Sequence, residues 1–235
     1  MIKRLQRGAS MRLRNEIVKP VKPKFSATRA YGNNRYIVYS PKLNRDLIVY
    51  SNLEYQCFLL LEFDSNVSFY CEQPDLNISY SINGNIRKSI VDFLKKDSAG
   101  ITIIECKPSI ELEKKEVIEQ IHIQKEWAIL QDFSHEVFTE KLLGEKQNMI
   151  ENLKMLHTAL IQYSVQEHYF VRESVLFFLK ENKNSSIQHL LNYCPNISER
   201  TVFPILAKLF HEGKITILIS SKIGLETEVS INNEK

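Results

Sequence analysis

The residues best suited to chemistry sit close together in the middle of the chain. Asp92 follows Val91, a turn intervenes, and Glu105-Cys106-Lys107 then closes an apolar stretch that begins at Ile101. Side chains alternate faces along a strand, so Ile101, Ile103, Glu105 and Lys107 share one side, with Ile104 and Cys106 on the other. The acid and the lysine therefore point the same way. With Asp92 on the neighbouring strand of a hairpin, two carboxylates and one ammonium come to one place, the set that metal-assisted phosphodiester hydrolysis requires. Two carboxylates ~4 Å apart repel by about 4 kcal/mol at an effective dielectric of 20, and without a cation one of them keeps its proton. Magnesium, or manganese in its place, removes that conflict: such an ion prefers oxygen ligands and retains several waters. It would also make a bound water a stronger acid and neutralise charge on the phosphate. Lys107 would orient the attacking water or hold a phosphate oxygen, and the Cys106 carbonyl adds a possible backbone ligand.

Glu-x-Lys alone carries little information, because it recurs at Glu113/Lys115, Glu181/Lys183 and Glu212/Lys214. Only the copy at Glu105 follows a strand-like run and has an aspartate on a paired strand. Even there a second reading stands: an acid and a lysine at a strand edge form an ordinary surface ion pair, worth roughly 0 to 1 kcal/mol. A third acid, Glu54, has the same ambiguity. Ser51 and Glu54 match a capping box, in which the glutamate reaches back to the N-cap amide. Its carboxylate points either to the Ser51 amide or across to Asp92.

The elements that must position these groups follow from pattern. Arg35 to Tyr39 and Arg45 to Val49 are β-rich and separated by Ser40-Pro41-Lys42-Leu43-Asn44, a hairpin. Leu53, Cys57, Leu60 and Leu61 give helical spacing from Ser51 to about Glu62. Further strands are expected at Val67 to Cys71, Leu76 to Ile82, Lys88 to Leu94 and Ile101 to Cys106, with turns at Asn83-Gly84-Asn85 and Asp97-Ser98-Ala99-Gly100. A helix from about Ser109 to Leu130 carries Leu112, Val117, Ile121 and Trp127, and a short strand follows near Glu136 to Thr139. The expectation is an α/β (α+β) nuclease core built on a mixed sheet.

From Gly144 the texture becomes helical. Met149, Leu153, Leu156 and Leu160 line one face of a first helix, and Val171 to Glu181, Ile187 to Tyr193 and Ser198 to Glu212 follow. Two β-like segments, Lys214 to Ser220 and Glu226 to Ile231, end the chain. Helices leading into a β-hairpin predict a C-terminal winged-helix domain. Ser198 to Glu212 takes the recognition-helix position, with Arg200, Thr201 and Lys208 as polar contacts and Pro204 as a source of distortion. The helix is otherwise apolar, so protein docking is as open a reading as DNA contact. The organisation expected is a basic arm over 1–30, a nuclease domain over 31–144 and a helical C-terminal domain over 145–235.

Composition bounds the rest. The chain has 235 residues, 43% hydrophobic and 25% charged, as a globular protein of one or two domains requires. No apolar run approaches the ~20 residues of a membrane span, and no apolar segment follows the basic start to make a secretory signal. Cys57, Cys71, Cys106 and Cys194 form no C-x-x-C pair and read as reduced core residues. Glycine motifs for nucleotide phosphates are absent. The formal charge is +3 overall, yet Met1 to Ala30 holds nine basic side chains against Glu16 alone. Lys3, Arg4, Arg7, Arg12 and Arg14 in that arm are candidate phosphate contacts, each adding roughly 0.9 to the slope of log affinity against log salt; a solvated tail without a partner is the plainer alternative.

The order of these features resembles the TnsA endonuclease subunit of heteromeric bacterial transposases. The likeness rests on Ser51-Asn52-Leu53-Glu54 opening a helix, Val67-Ser68-Phe69-Tyr70-Cys71-Glu72-Gln73-Pro74, Val91-Asp92-Phe93 and Ile104-Glu105-Cys106-Lys107-Pro108. Trp127-Ala128-Ile129-Leu130 and Val137-Phe138-Thr139-Glu140 extend it to residue 140. The resemblance implies a restriction-endonuclease-like PD-(D/E)xK fold, with Glu54, Asp92 and Glu105 as metal-site acids and Lys107 as the catalytic lysine. Family members often carry Gln at the position of Glu105, and Val91 replaces the proline of the general motif. Gln73 matches a family position and is a possible DNA contact. The activity implied is hydrolysis of the 5′-end strand at transposon ends, in double-stranded DNA of the bacterial cytoplasm and nucleoid. A TnsB-like DDE transposase would process the 3′ ends, and a TnsC-like ATPase regulator would contact the C-terminal domain, giving cut-and-paste transposition. Two other readings stay open: a stand-alone restriction or repair nuclease of the same fold, and a non-enzymatic winged-helix binding or assembly protein.

Overall fold

The computed structural model describes residues 18–21, 34–82, 85–144, 147–194 and 197–232. The described residues group into two compact units. One holds those up to Leu61 together with Asn66–Leu142, and the other holds Glu62–Ser65 with the residues from Leu143 on.

The first unit opens with an antiparallel hairpin of β1 (Tyr36–Ser40) and β2 (Arg45–Val49). Its turn ends at Asn44, whose positive φ of 53° suits a short polar side chain. Helix α1 (Asn52–Phe63) follows and buries Phe58 and Leu59 completely, while Tyr55 stacks on Tyr36 with ring centroids 4.9 Å apart. Next come β3 (Phe69–Glu72), the hairpin β4 (Ile78–Ile82) and β5 (Asn85–Ser89), then β6 (Phe93–Asp97) and β7 (Gly100–Cys106). After a 3-10 turn at Ser109–Glu111, helix α2 (Lys115–Leu130) returns the chain to β8 (Ser134–Phe138). The central sheet has the order β3-β6-β7-β8 and is mixed: β6 pairs antiparallel with β3 and β7, whereas β8 runs parallel to β7. Parallel neighbours need a crossover, and α2 supplies it. One core joins these layers, with Cys71, Leu94 and Ile103 from the sheet packed with Trp127, Ala128 and Phe133 at the end of α2.

Two expectations need correction. The single strand expected over Lys88 to Leu94 is two strands, because β5 pairs with β4 in one sheet and β6 with β3 and β7 in another. The chain must change partners between them, and Asp92 lies on that break, one residue before β6. The helix expected from Ser109 is a 3-10 turn followed by α2 from Lys115. Ile110 is 84% exposed, so the first residues of that span have no apolar face to bury.

Part of the expected N-terminal arm is tied into this unit. The Val21 amide donates to the Gln73 carbonyl at 2.8 Å and the Asp75 amide to the Lys19 carbonyl at 3.1 Å, and Val18 is buried in the core.

The second unit holds α4 (Gln147–Ile161), α5 (Val165–Glu181), β9 (Asn184–Ser186), α6 (Ile187–Tyr193), α7 (Glu199–His211), β10 (Ile215–Ile217) and β11 (Glu228–Ile231). The short α3 (Glu140–Leu143) precedes them. The strands form a sheet of order β10-β11-β9, and α4 and α5 pack on α7. Val202, Ile205, Leu206 and Leu209 of α7 are fully buried, which accounts for its apolar composition. Pro204 lies inside α7 and is buried. Asn152 of α4, also buried, ties down the loop between β10 and β11: its amide donates to the Ile219 and Ser221 carbonyls at 2.9 and 2.6 Å, and its oxygen accepts from the Ile223 amide at 3.0 Å. Among the described residues no helix is long and apolar enough to cross a membrane.

Candidate active site

At the end of β7, strand parity brings Glu105 and Lys107 together, with Lys107 Nζ 2.9 Å from Glu105 Oε1. Glu105 is only 1% exposed, so the surface ion-pair alternative does not describe it. A carboxylate so deeply buried must be met by donors. Besides Lys107, Gln120 Nε2 donates to Oε1 at 2.9 Å and Gln124 Nε2 to Oε2 at 2.7 Å. Both glutamines come from α2, four residues apart and so on one face of the helix.

Asp92 joins this cluster from the break before β6. Its amide donates to the Ile104 carbonyl at 3.0 Å, and its carboxylate Oδ2 accepts from the Cys106 amide at 2.7 Å. Main chain and side chain therefore both lock onto the end of β7. Burial, then the charges of Glu105 and Glu54, push the Asp92 carboxyl well above the usual range, against the opposing pull of the Cys106 amide and Lys107.

Glu54 takes part in an N-terminal cap of altered form. The Ser51 hydroxyl oxygen accepts from the Glu54 amide at 3.0 Å, as a capping box predicts, but Glu54 Oε2 accepts from the Tyr50 amide at 2.9 Å, one residue before the expected donor. The carboxylate is buried, and burial raises its pKa. The charges of Glu105 and Lys107 also reach it. For Lys107, burial works to lower the pKa, and the charge and hydrogen bond of Glu105 with the charge of Asp92 outweigh it, so the ammonium is held on.

The cluster thus contains three acids and one ammonium. Among the described residues, no group of three or more His, Cys, Asp or Glu side chains is placed to hold a metal ion by itself. Each of the three carboxylates accepts from a backbone amide or from Lys107. Such donors fit a hard cation held by Asp92, Glu105 and the Cys106 carbonyl with water completing its shell, the manner in which magnesium is usually held.

Residues 64–140 match the family model for the TnsA-like endonuclease N terminal. This segment is similar to the N-terminal domain of TnsA-like endonucleases. The comparison with curated proteins returned no match. Asp92, Glu105 and Lys107 lie inside the TnsA-like domain, as do Gln120 and Gln124; Glu54 lies outside it.

The remaining sequence-predicted contacts fall in different places. Within the TnsA-like domain, Gln73 has φ of 38°, rare for a residue with a Cβ. Its amide donates to the Asp92 carbonyl at 2.8 Å, so its visible role is through backbone support of that residue. In the second unit Arg200 is exposed at the start of α7, whereas Lys208 pairs with Glu212 at 3.5 Å. Lys3, Arg4, Arg7, Arg12 and Arg14 lie outside the described residues. The four cysteines are free; Cys57, Cys71 and Cys106 are core residues, but Cys194 is only half-buried.

Sequence reasoning missed Gln120 and Gln124. The signal was present as Gln-x-x-x-Gln on the helix after the Glu105 strand, with Gln124 on the same stripe as the core residues Val117 and Trp127. Also missed was His135 on β8, whose Nε2 lies 3.1 Å from Gln124 Oε1.

Proposed function

We propose that the chain is the endonuclease subunit of a cut-and-paste transposase and hydrolyses the 5′-end strand at transposon ends in a magnesium-dependent reaction. The observation that carries this reading is the joining of Asp92, Glu105 and Lys107 at the end of β7 within the TnsA-like domain.

In this reading Asp92, Glu105 and the Cys106 carbonyl hold the cation, with manganese as a substitute and Glu54 as a neighbouring acid that shapes the charge of the site. The cation, when bound, supplies Lewis acidity toward the phosphate and toward the attacking water. Lys107, kept protonated by Glu105 and Asp92, donates to a phosphate oxygen or orients the water. Burial of Glu105 excludes bulk solvent from its side of the site and strengthens each of these interactions. Removal of any one member should cost far more than an exposed ion pair would.

The second unit is read as a winged helix belonging to a restriction-endonuclease-like protein. The order helix, strand, helix, helix, strand, strand and the pairing of β9 with β11 support it. Because Lys208 is engaged by Glu212, Arg200 is the principal cation that α7 offers to DNA, and the unit is equally suited to docking an ATPase regulator of the TnsC type. A TnsB-like transposase is the partner that would complete cleavage at the 3′ ends. The test is cleavage of transposon-end DNA by the chain together with its cognate transposase, with magnesium or with EDTA. Magnesium-dependent 5′-strand cuts are expected, and robust cutting of unrelated DNA by the chain alone would contradict the transposase assignment.

A further inference from the structure

Gln124 is the most completely engaged side chain around the acid cluster. It is fully buried, and its Nε2 donates both to Glu105 Oε2 at 2.7 Å and to Ser89 Oγ at 3.0 Å. Its Oε1 faces His135 Nε2 at 3.1 Å. The Glu105 carboxylate only accepts, so the Gln124 amide must turn its NH2 group toward it, and the Ser89 hydroxyl and the His135 ring, each able to donate or accept, complete that arrangement. Turned over, it would aim its oxygen at the Glu105 carboxylate and leave the buried Oε2 without that donor.

We propose that Gln124 is the positioning residue of the acid site, and that His135, donating from Nε2 to Gln124 Oε1, holds its amide in place so that Glu105 is presented in one pose. The lever is a neutral one. A carboxylate offers about four acceptor positions; Lys107 and Gln120 fill two on Oε1 and Gln124 one on Oε2. The position left on Oε2 is the one available to a cation, and Gln124 determines where it points. A lysine or arginine in place of Gln124 would hold the carboxylate equally well but would cancel the charge that a cation needs. His135 is suited to its part because its register opposite Ile103 of β7 places it beside the strand that carries Glu105. Burial followed by the charge of Lys125 depresses its pKa, which favours the neutral ring.

The inference rests on the reading of Glu105 as a cation ligand, and two measurements separate the proposal from that reading. The first uses the cation-free full chain and follows the Gln124 side-chain NH2 by NMR. Slow hydrogen exchange is expected in the wild type and in His135→Gln, which keeps a donor, with exchange at least about tenfold faster in His135→Phe. Fast exchange in the wild type, or no change in His135→Phe, would overturn the proposal whatever the cation does. The second measures manganese binding by calorimetry. Loss of an outer hydrogen-bond partner typically weakens a metal site about 10- to 100-fold, so that loss is expected in Gln124→Leu and in His135→Phe, with recovery in His135→Gln. Equal affinity in wild type, Gln124→Leu and His135→Phe would also overturn it. If Gln124→Leu does not fold, the two His135 variants decide. Protected amide protons together with no manganese binding by the wild type would retain the positioning of Glu105 and reject the cation reading.

Discussion

Replacing Asp92 by Asn should make the cation-free protein more stable at neutral pH, although it removes a group proposed as essential. Asn keeps an oxygen to accept the Cys106 amide now bound at 2.7 Å, so the substitution changes charge with little change of shape. The acids Asp92, Glu105 and Glu54 face Lys107 as a counter-charge. Repulsion between two unit charges ~4 Å apart at an effective dielectric of 20, about 4 kcal/mol, sets the upper bound. Because the wild type escapes part of it by protonating Asp92, a gain of about 1–3 kcal/mol is expected, within the usual range for single substitutions. For a chain of this size that gain raises the melting temperature by roughly 2–12 °C.

The sign with pH follows from the raised folded-state pKa of Asp92. A carboxyl with a raised folded pKa favours folding below its unfolded value, near about 3.9, and this contribution is lost as pH rises toward the folded value. The advantage of Asn should therefore be absent near pH 4, grow toward neutrality and level off above the folded pKa. Magnesium should reverse the order, because a ligand at 100 times its Kd stabilises the folded state by about 2.7 kcal/mol, and the variant has lost a carboxylate ligand. Calorimetric melting of both proteins from pH 4 to 8, with EDTA or magnesium, measures all of this. An Asn variant less stable than wild type in EDTA at pH 7, or a difference independent of pH, would refute the reasoning.

Other perturbations follow from the same geometry. Glu54→Ala leaves the Tyr50 amide without its acceptor and should cost about 0.5–2 kcal/mol in a urea titration, as loss of a cap does; Glu54→Gln should keep most of that stability, and equal losses would show that the hydrogen bond is not what matters. Deleting residues 1–17, a cut that spares the buried Val18, should weaken DNA binding and lower the salt slope by roughly 0.9 for each phosphate that the arm had neutralised; an unchanged slope would dismiss the arm. In the second unit, Arg200→Ala should weaken DNA binding while Lys208→Ala, already paired with Glu212, should change it little; equal effects in a binding titration would remove the distinction drawn between them.

The sequence carried the acid cluster further than it carried the elements around it. Strand parity alone put Glu105 and Lys107 on one side of β7, because a period of two leaves no freedom once the strand exists. Burial of Glu105 was not legible, since it depends on α2 crossing back over the sheet. For the same reason Gln120 and Gln124 passed as ordinary polar residues of a helix. Asp92 was assigned to a strand because Lys88 to Leu94 has β-forming residues throughout, yet partner exchange between two sheets, a tertiary event, breaks it there. The start of α5 was legible and overlooked: Ser164-Val165-Gln166-Glu167 is a capping pattern, and the Ser164 hydroxyl oxygen accepts from the Glu167 amide. The strand β9 had no local signal, because Asn184-Ser185-Ser186 becomes a strand only by pairing with β11.

The central claim is that Asp92 and Lys107 act together on the phosphodiester. Its most direct test is strand cleavage at labelled transposon ends by the chain with its cognate transposase in magnesium, comparing wild type with Asp92→Ala and Lys107→Ala at matched circular dichroism. Each substitution should reduce 5′-strand cutting by about 10²-fold or more, the scale of loss of a group that acts in the transition state. Full cleavage by either folded variant would contradict the account.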